Sequence, residues 1–345
     1  MRKAVLIFPL FLSTVLLFAS NEENIQESNS LEKCVPFDAD LFRKDVRAFH
    51  TNLEFLWWMV QEGGLQYALK QTSVSPSNTE IGAQGKYKRG EYDWHPGFRI
   101  TYGFFNAPKY WDVFIVYTWF YSSGRDTSHN PPKPGRFLNG TWNQGIESPI
   151  KAKSFLWLHH HLGELKVARV FIPNPHLRLK LFGGLNAGWL DQDWRVFYKN
   201  QLSESTRIIN QWKYWGIGPR IGVHFDWYWI MDFYLTGKIA LGGLLGKYHN
   251  RAFEKVLPSK LALLNTSYED SRFAYNTQFI IGYSWQKSFC RARVEAFAGY
   301  EMNHWFNLQE VYRSTLGNND SAHEPRINTG QLTLHGLTLR FEAYF

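Results

Sequence analysis

Residues Trp215–Tyr228 read WGIGPRIGVHFDWY. In an extended chain, alternate side chains point to opposite sides. One side then carries Trp215, Ile217, Pro219, Ile221, Val223, Phe225 and Trp227, and the other Gly216, Gly218, Arg220, Gly222, His224 and Asp226. The first set is apolar, with tryptophan at both ends. The second is small, charged or polar. A strand of that kind suits a wall with lipid on one side and a wet interior on the other.

The same period of two recurs outward from this stretch. Leu177, Leu179, Leu181, Leu185, Ala187 and Trp189 oppose Arg178, Lys180, Gly184, Asn186 and Gly188. Trp229, Met231, Phe233, Leu235, Ile239 and Leu241 oppose Asp232, Tyr234, Thr236, Lys238 and Gly242. Thr277–Trp285, Ala292–Met302, Phe98–Phe104 and, less cleanly, Trp111–Trp119 alternate in the same way. The chain ends on such a segment, with Leu337, Leu339, Phe341, Ala343 and Phe345 opposite Thr338, Arg340 and Glu342. Alternation that closes on Phe341 and a terminal Phe345 resembles the signal read by bacterial barrel-assembly machinery. The predicted fold is therefore all-β, a transmembrane antiparallel up-and-down β-barrel.

Connections alternate between short and long. Short ones fall near Glu62–Gly64, Asn106–Lys109, Ile172–Pro175, Tyr228 and Gln286–Ser288. Long polar ones cover roughly 71–93, 123–150, 191–211, 248–272 and 306–330. Short periplasmic turns and long external loops are the habit of outer-membrane barrels. Five hairpins give ten strands, and His50–Val60 reads as an eleventh, with Thr51, Leu53, Phe55, Trp57 and Met59 as its barrel-facing residues. Strand counts are normally even, so residues 36–47 are predicted to add a twelfth strand or to thread the lumen. The count expected is about twelve, within a range of 10–16. Segment 152–171 is the least regular.

Composition agrees. The chain of 345 residues is 17% aromatic, with 15 Trp, 18 Tyr and 27 Phe, and aromatic rings settle at membrane–water boundaries. Mean hydropathy is −0.35, and no later run of about 18 apolar residues offers a helical span. Residues 1–20 have the layout of a secretory signal peptide: basic Arg2 and Lys3, an apolar run to Phe18, then small Ala19 and Ser20. The expected organisation is a signal peptide at 1–20, a periplasmic or lumen segment at 21–47 and the barrel at 48–345. Removing 1–20 takes away two cations and no carboxylate, lowering the net charge from +8 to +6. In an exported chain that excess suggests a slight anion preference in a pore rather than a nucleic-acid partner. The two cysteines, Cys34 and Cys290, can pair in an oxidising compartment or link separate chains.

Several stretches together resemble the Legionella- and Chlamydia-type major outer membrane protein family, in its Legionella-like branch. They are Glu54–Ala68 (EFLWWMVQEGGLQYA), Trp94–Phe105 (WHPGFRITYGFF), Trp111–Ser122 (WDVFIVYTWFYS), Leu179–Gln192 (LKLFGGLNAGWLDQ), Trp215–Tyr228, Val294–Gln309 (VEAFAGYEMNHWFNLQ) and Gly336–Phe345. The resemblance implies an outer-membrane barrel of a Gram-negative-type bacterium, porin-like activity and surface exposure, with no catalytic set and no cofactor. Chlamydial relatives are rich in cysteine; with two, this chain departs from any cross-linked network.

The candidate pore-lining residues are Arg99, Asp112, Arg178, Lys180, Arg220, Asp226, Lys238, Arg291, Arg293, Glu295, Arg340 and Glu342, with Glu54, Asp232 and Glu301 beside them. Opposed rows of charge in a narrow pore select among solutes. His159, His160 and His161 suggest metal, but only His159 and His161 share a face, so polar strand residues at a bulge are the better reading. Gly216, Gly218 and Gly222 lack the strand–turn–helix setting of a nucleotide loop and are expected to make room in a curved wall. Trp57, Trp111, Trp119, Trp189, Trp215, Trp227, Trp229, Trp285 and Trp305 are expected in interface girdles rather than stacked on sugars. The sequence thus predicts a porin-like channel passing small hydrophilic solutes, as a monomer or a homo-oligomer in outer-membrane lipid. The alternative is a surface-exposed adhesin or host-interaction protein on a barrel scaffold.

Overall fold

A computed structural model describes residues 47–71, 85–106, 109–132, 136–142, 149–230, 232–289, 292–312, 326–327 and 331–345. The proposed signal peptide, residues 21–46, Cys34, Cys290 and Arg291 lie outside them. The strands are β1 (Arg47–Glu62), β2 (Gln66–Gln71), β3 (Gly85–Arg89), β4 (His95–Asn106), β5 (Trp111–His129), β6 (Leu138–Gly140), β7 (Lys151–Asn174) and β8 (Leu177–Lys199). They continue with β9 (Ser205–Ile230), β10 (Phe233–Leu257), β11 (Ala262–Ser288), β12 (Arg293–Phe306), β13 (Val311–Tyr312), β14 (Arg326–Ile327) and β15 (Gln331–Tyr344).

Ten of these close into one antiparallel barrel in the order β1-β15-β12-β11-β10-β9-β8-β7-β5-β4. β1 is the seam, pairing with β15 from His50↔Tyr344 to Glu62↔Leu332 and with β4 from Arg47↔Asn106 to Trp58↔His95. The chain end finishes that seam: Phe49 N–H donates to Phe345 C=O at 2.9 Å, and Phe345 N–H donates to Phe49 C=O at 3.0 Å. Closure leaves no open edge in the barrel wall, which lipid requires because it offers no hydrogen bonds.

The strand count corrects the expected twelve to ten. Glu62–Gly64 is not a periplasmic turn. There Gly64, at φ 70°, takes a left-handed conformation that costs glycine little, and the chain turns into β2. That strand leaves the wall to pair with β3 and β6 in a small separate sheet. Three of the long connections, 123–150, 191–211 and 248–272, are also shorter than the sequence suggested. β8 and β9 run on to a turn at 200–204, and β10 and β11 to one at 258–261. β9, β10 and β11 hold 26, 25 and 27 residues, whereas about 9–11 tilted residues cross a bilayer. This side of the barrel therefore stands well clear of the membrane.

Alternation is strict. In β1 and β7 nearly every second residue is buried. Thr51, Leu53, Phe55, Trp57 and Met59 point away from the barrel axis, while His50, Asn52, Glu54, Leu56, Trp58 and Val60 point in. The outward face of the membrane zone, with Ile115, Leu181, Ile217, Ile221, Ile239, Leu241 and Leu339, is exposed. Left in water, each such side chain would forgo about 1.5–3 kcal/mol of burial; lipid removes that penalty. The interior glycines make room as expected: a Cβ on Gly222 would lie 2.4 Å from Phe182 Cζ.

Candidate functional site

The inward side chains form two storeys. In the membrane zone ionic groups predominate, with Phe114, Val116, Val170, Phe182 and Ile280 between them. Arg99 on β4 is 3% exposed. Its Nη2 donates to Glu301 Oε1 at 2.7 Å, its Nε donates to Thr118 Oγ1 at 2.9 Å, and its Nη1 also bonds Glu54. Gln278 Nε2 donates to Glu301 at 2.6 Å and its own Oε1 accepts from Arg220 Nη2 at 2.6 Å. Arg220 Nε stands 2.8 Å from Glu164, which also pairs with Lys166 Nζ at 2.9 Å. One continuous network thus crosses the barrel from β1 to β7.

Two further groups lie nearer the short turns. Asp112 receives Lys180 and sits 2.8 Å from His50 Nε2, whose Nδ1 is 3.4 Å from Glu342. Asp226 takes Arg178 Nη2 at 2.8 Å, His224 at 3.1 Å and the Thr236 hydroxyl at 2.7 Å. Glu295 accepts from Tyr234 at 2.7 Å and pairs with Arg293 at 3.1 Å. A cavity of about 80 Å³ lies among these groups, with Lys180, Lys238, Arg178, Arg340, Asp226 and Glu342 in its wall. Lys238 stands 5.6 Å over the Phe182 ring. Removing both partners of such a buried pair costs little; removing one costs a great deal, because the other is left charged and dry.

Toward the outer mouth the lining turns apolar. Leu56, Trp58, Phe120, Leu158, Leu162, Trp194, Trp212, Leu244 and Trp305 all face inward and are buried. Segments between barrel strands fold against them, contributing Leu65, Tyr67, Tyr92, Trp142, Leu308 and Val311. Trp142 meets Trp194 at 4.8 Å between ring centres. Polar bonds clamp these segments. Gln309 Nε2 donates to Gly63 C=O at 2.6 Å, and Glu310 pairs with Arg272 at 2.9 Å. The Tyr67 hydroxyl donates to Asp126 at 2.8 Å. The Tyr92 hydroxyl donates to Glu62 at 3.2 Å and accepts from Gln192 at 2.9 Å. Glu62 stands above the lipid zone, where burial pushes its carboxyl up to about 8 against the pull of the Gln192 and Tyr92 bonds.

Of the predicted lining residues, Arg99, Asp112, Arg178, Arg220, Asp226, Arg293 and Glu295 are buried inside, as are Glu54, Glu301 and Glu342. Lys180, Lys238 and Arg340 border the cavity. Asp232 is not among them: it sits in the β9–β10 turn, 3.8 Å from Lys287. His50, Glu164 and Lys166 went unread in the sequence, though Glu164 and Lys166 alternate with Leu165 and Val167; His224 lies on the polar face where alternation put it, beside Asp226. The histidine run divides as alternation demands. His159 and His161 face outward, and His160 is buried inside, edge-on to Trp305 at 5.8 Å. Among the described residues no cluster suited to a metal ion occurs. Trp57, Trp111, Trp189, Trp215, Trp227 and Trp229 are exposed on the outer wall. Trp305 is a correction: it shares the parity of Glu301 and Asn303, so it fills the lumen, not a girdle.

The family model of the Legionella pneumophila major outer membrane protein precursor matches residues 44–345. The chain belongs to that family. It is an outer-membrane β-barrel protein, as the closed lipid-facing wall requires. Among curated proteins none matches. Solved structures similar to it include the outer membrane protease OmpT of Escherichia coli, at 9% identity over 86% of this chain and 96% of that one, with a TM-score of 0.42. The toluene transporter TbuX of Ralstonia pickettii follows at 10% identity, 87% and 89% coverage and 0.29. A FadL homologue of Pseudomonas aeruginosa stands at 7%, 87% and 90%, and 0.25. At these values none of the three bears on what this family member does.

Proposed function

We propose that this barrel is a gated channel for small hydrophilic solutes, closed in the state described here, rather than a constantly open diffusion pore. The observation that carries the proposal is the division of the lumen. A charged lower storey surrounds a cavity, and an apolar stopper made of inter-strand segments lies over it. Barrels of roughly eight strands are filled by side chains, while those of 16–18 leave an aqueous channel. Ten strands stand close to the filled limit. Trp58, Trp194, Trp212 and Trp305 are buried, as water-lined positions would not be. Passage then requires the segments holding Leu65, Tyr92, Trp142 and Leu308 to swing outward. The stopper is held by bonds such as Tyr67–Asp126 and Glu310–Arg272, and releasing them leaves the pairing of the barrel strands intact.

The proposed anion preference is slight, since inward cations and carboxylates in the lower storey nearly balance. The reading assigns the protein no catalysis. Planar-bilayer recording tests it. Wild-type protein is expected to show rare, brief steps, and Gln309→Ala/Glu310→Ala frequent ones. If both stay silent while migrating as folded, heat-modifiable bands, the channel reading is wrong.

A second reading has its own support: strands β9–β11 project far beyond membrane thickness and present an ordered external surface. Under it the protein is an adhesin or host-interaction protein. Shortening β10–β11 to a turn nearer the membrane would then abolish surface binding and leave conductance unchanged.

A further inference from the structure

The outer wall carries a hollow that solute passage does not use. Cross-strand register places His159, Asp191, Lys213, His249 and Glu269 in one row over β7–β11. The next row toward the membrane holds His161, Trp189, Trp215, Lys247 and Ser271. Together with Leu190, Tyr214, Tyr248 and Asp270, these ten residues line a concavity of about 850 Å³. Below it the wall is apolar, with Ile217, Leu245 and Phe273 exposed, so the paired Trp189 and Trp215 mark the outer membrane boundary.

Within the hollow, Lys213 lies 3.3 Å from Asp191, and His249 lies 3.2 Å from Glu269. Asp270, also in the wall, lies 2.9 Å from Arg272, so all three lining carboxylates have partners. Lys247 has no carboxylate within ion-pair distance among the described residues, and it sits between Trp215 and Ser271. Above, the outward faces of β8–β10 add Arg195, Lys199, Arg207, Arg251 and Lys255 against one more carboxylate, Asp193, which pairs with Arg195. A strongly cationic face thus begins where the lipid ends.

We propose that this hollow binds the phosphorylated headgroup of an outer-leaflet lipid. Lys247 and the indole N–H groups of Trp189 and Trp215 stand at headgroup depth. The cations above meet further phosphates, and the apolar wall below takes the acyl chains. A second copy of the chain fits worse, since it would bring the same cations against these.

The test uses full-length folded protein in detergent, titrated with bisphosphorylated lipid A and with the same lipid stripped of phosphate. Each basic residue near a charged headgroup supplies roughly a five-fold gain in binding. Lys213→Gln/Lys247→Gln/Arg251→Gln is therefore expected to weaken bisphosphorylated lipid A on the order of 100-fold, with the stripped lipid weak on both proteins. Gel mobility with and without heating checks the fold; should the triple variant fail it, Lys247→Gln alone is expected to lose about five-fold. Equal binding of the two lipids overturns the proposal. So does undiminished binding by a folded variant, or a change confined to its oligomeric state.

Discussion

Arg99 offers the sharpest measure of whether the lumen is dry. Its guanidinium holds two carboxylates: Glu301, which is fully buried, and Glu54. Arg99→Met keeps much of the side-chain volume and removes the charge and every donor. Glu301 would retain Thr338 at 3.0 Å and Gln278 at 2.6 Å, but Glu54 would face it with no cation between them. Breaking one side of a buried pair costs about 3–5 kcal/mol. In a wet pore the same pair would be screened and contribute about 0–1 kcal/mol. Urea unfolding of the protein refolded into lipid vesicles measures the difference. The triple variant Arg99→Met/Glu54→Gln/Glu301→Gln is expected to recover much of the loss, because no unpaired charge remains. A change below about 1 kcal/mol in Arg99→Met, at the limit for solvent-screened pairs, would show water around these groups and refute the closed lumen.

Three further outcomes follow from the same geometry. Trp305→Ala is expected to cost about 3–5 kcal/mol in unfolding, as for a large buried aromatic, whereas Trp189→Ala, on the lipid boundary, costs much less; equal losses would place Trp305 wrongly. Glu62 has its folded value raised from 4.5 to about 8, so its contribution is fully present below about pH 4.5 and is lost as the pH rises through about 8. Hydrogen exchange at Leu65–Gln71, corrected for intrinsic rate, should speed up between pH 6 and pH 9, and Glu62→Gln should flatten that rise. Deleting Phe345 removes two backbone bonds to Phe49 at the seam and the proposed assembly signal; the fraction of chain reaching a heat-modifiable folded state should fall, and an unchanged yield would speak against that role.

Much of this protein was legible from residue order alone. A strand's period of two is local, so the side on which Ile217, Arg220 or Glu295 lies follows from parity without knowledge of any partner. That is why many of the inward charged residues could be read from the sequence, although His50, Glu164 and Lys166 were not among them. The stopper did not, although its trace was present: Phe55–Val60 and Phe155–Leu158 are apolar on both faces, which a wet pore has no reason to require. What no local pattern decided was where β2 goes. A glycine turn after Glu62 permits either a membrane hairpin or a departure from the wall, and the choice belongs to distant partners, Gly85–Arg89 and Leu138–Gly140. Strand number depends on that choice, and lumen width depends on strand number. The ion pairs, too, join distant residues, Arg99 and Glu301 being 202 positions apart, because closing a cylinder brings opposite staves together in a way that neighbouring residues along the chain do not encode.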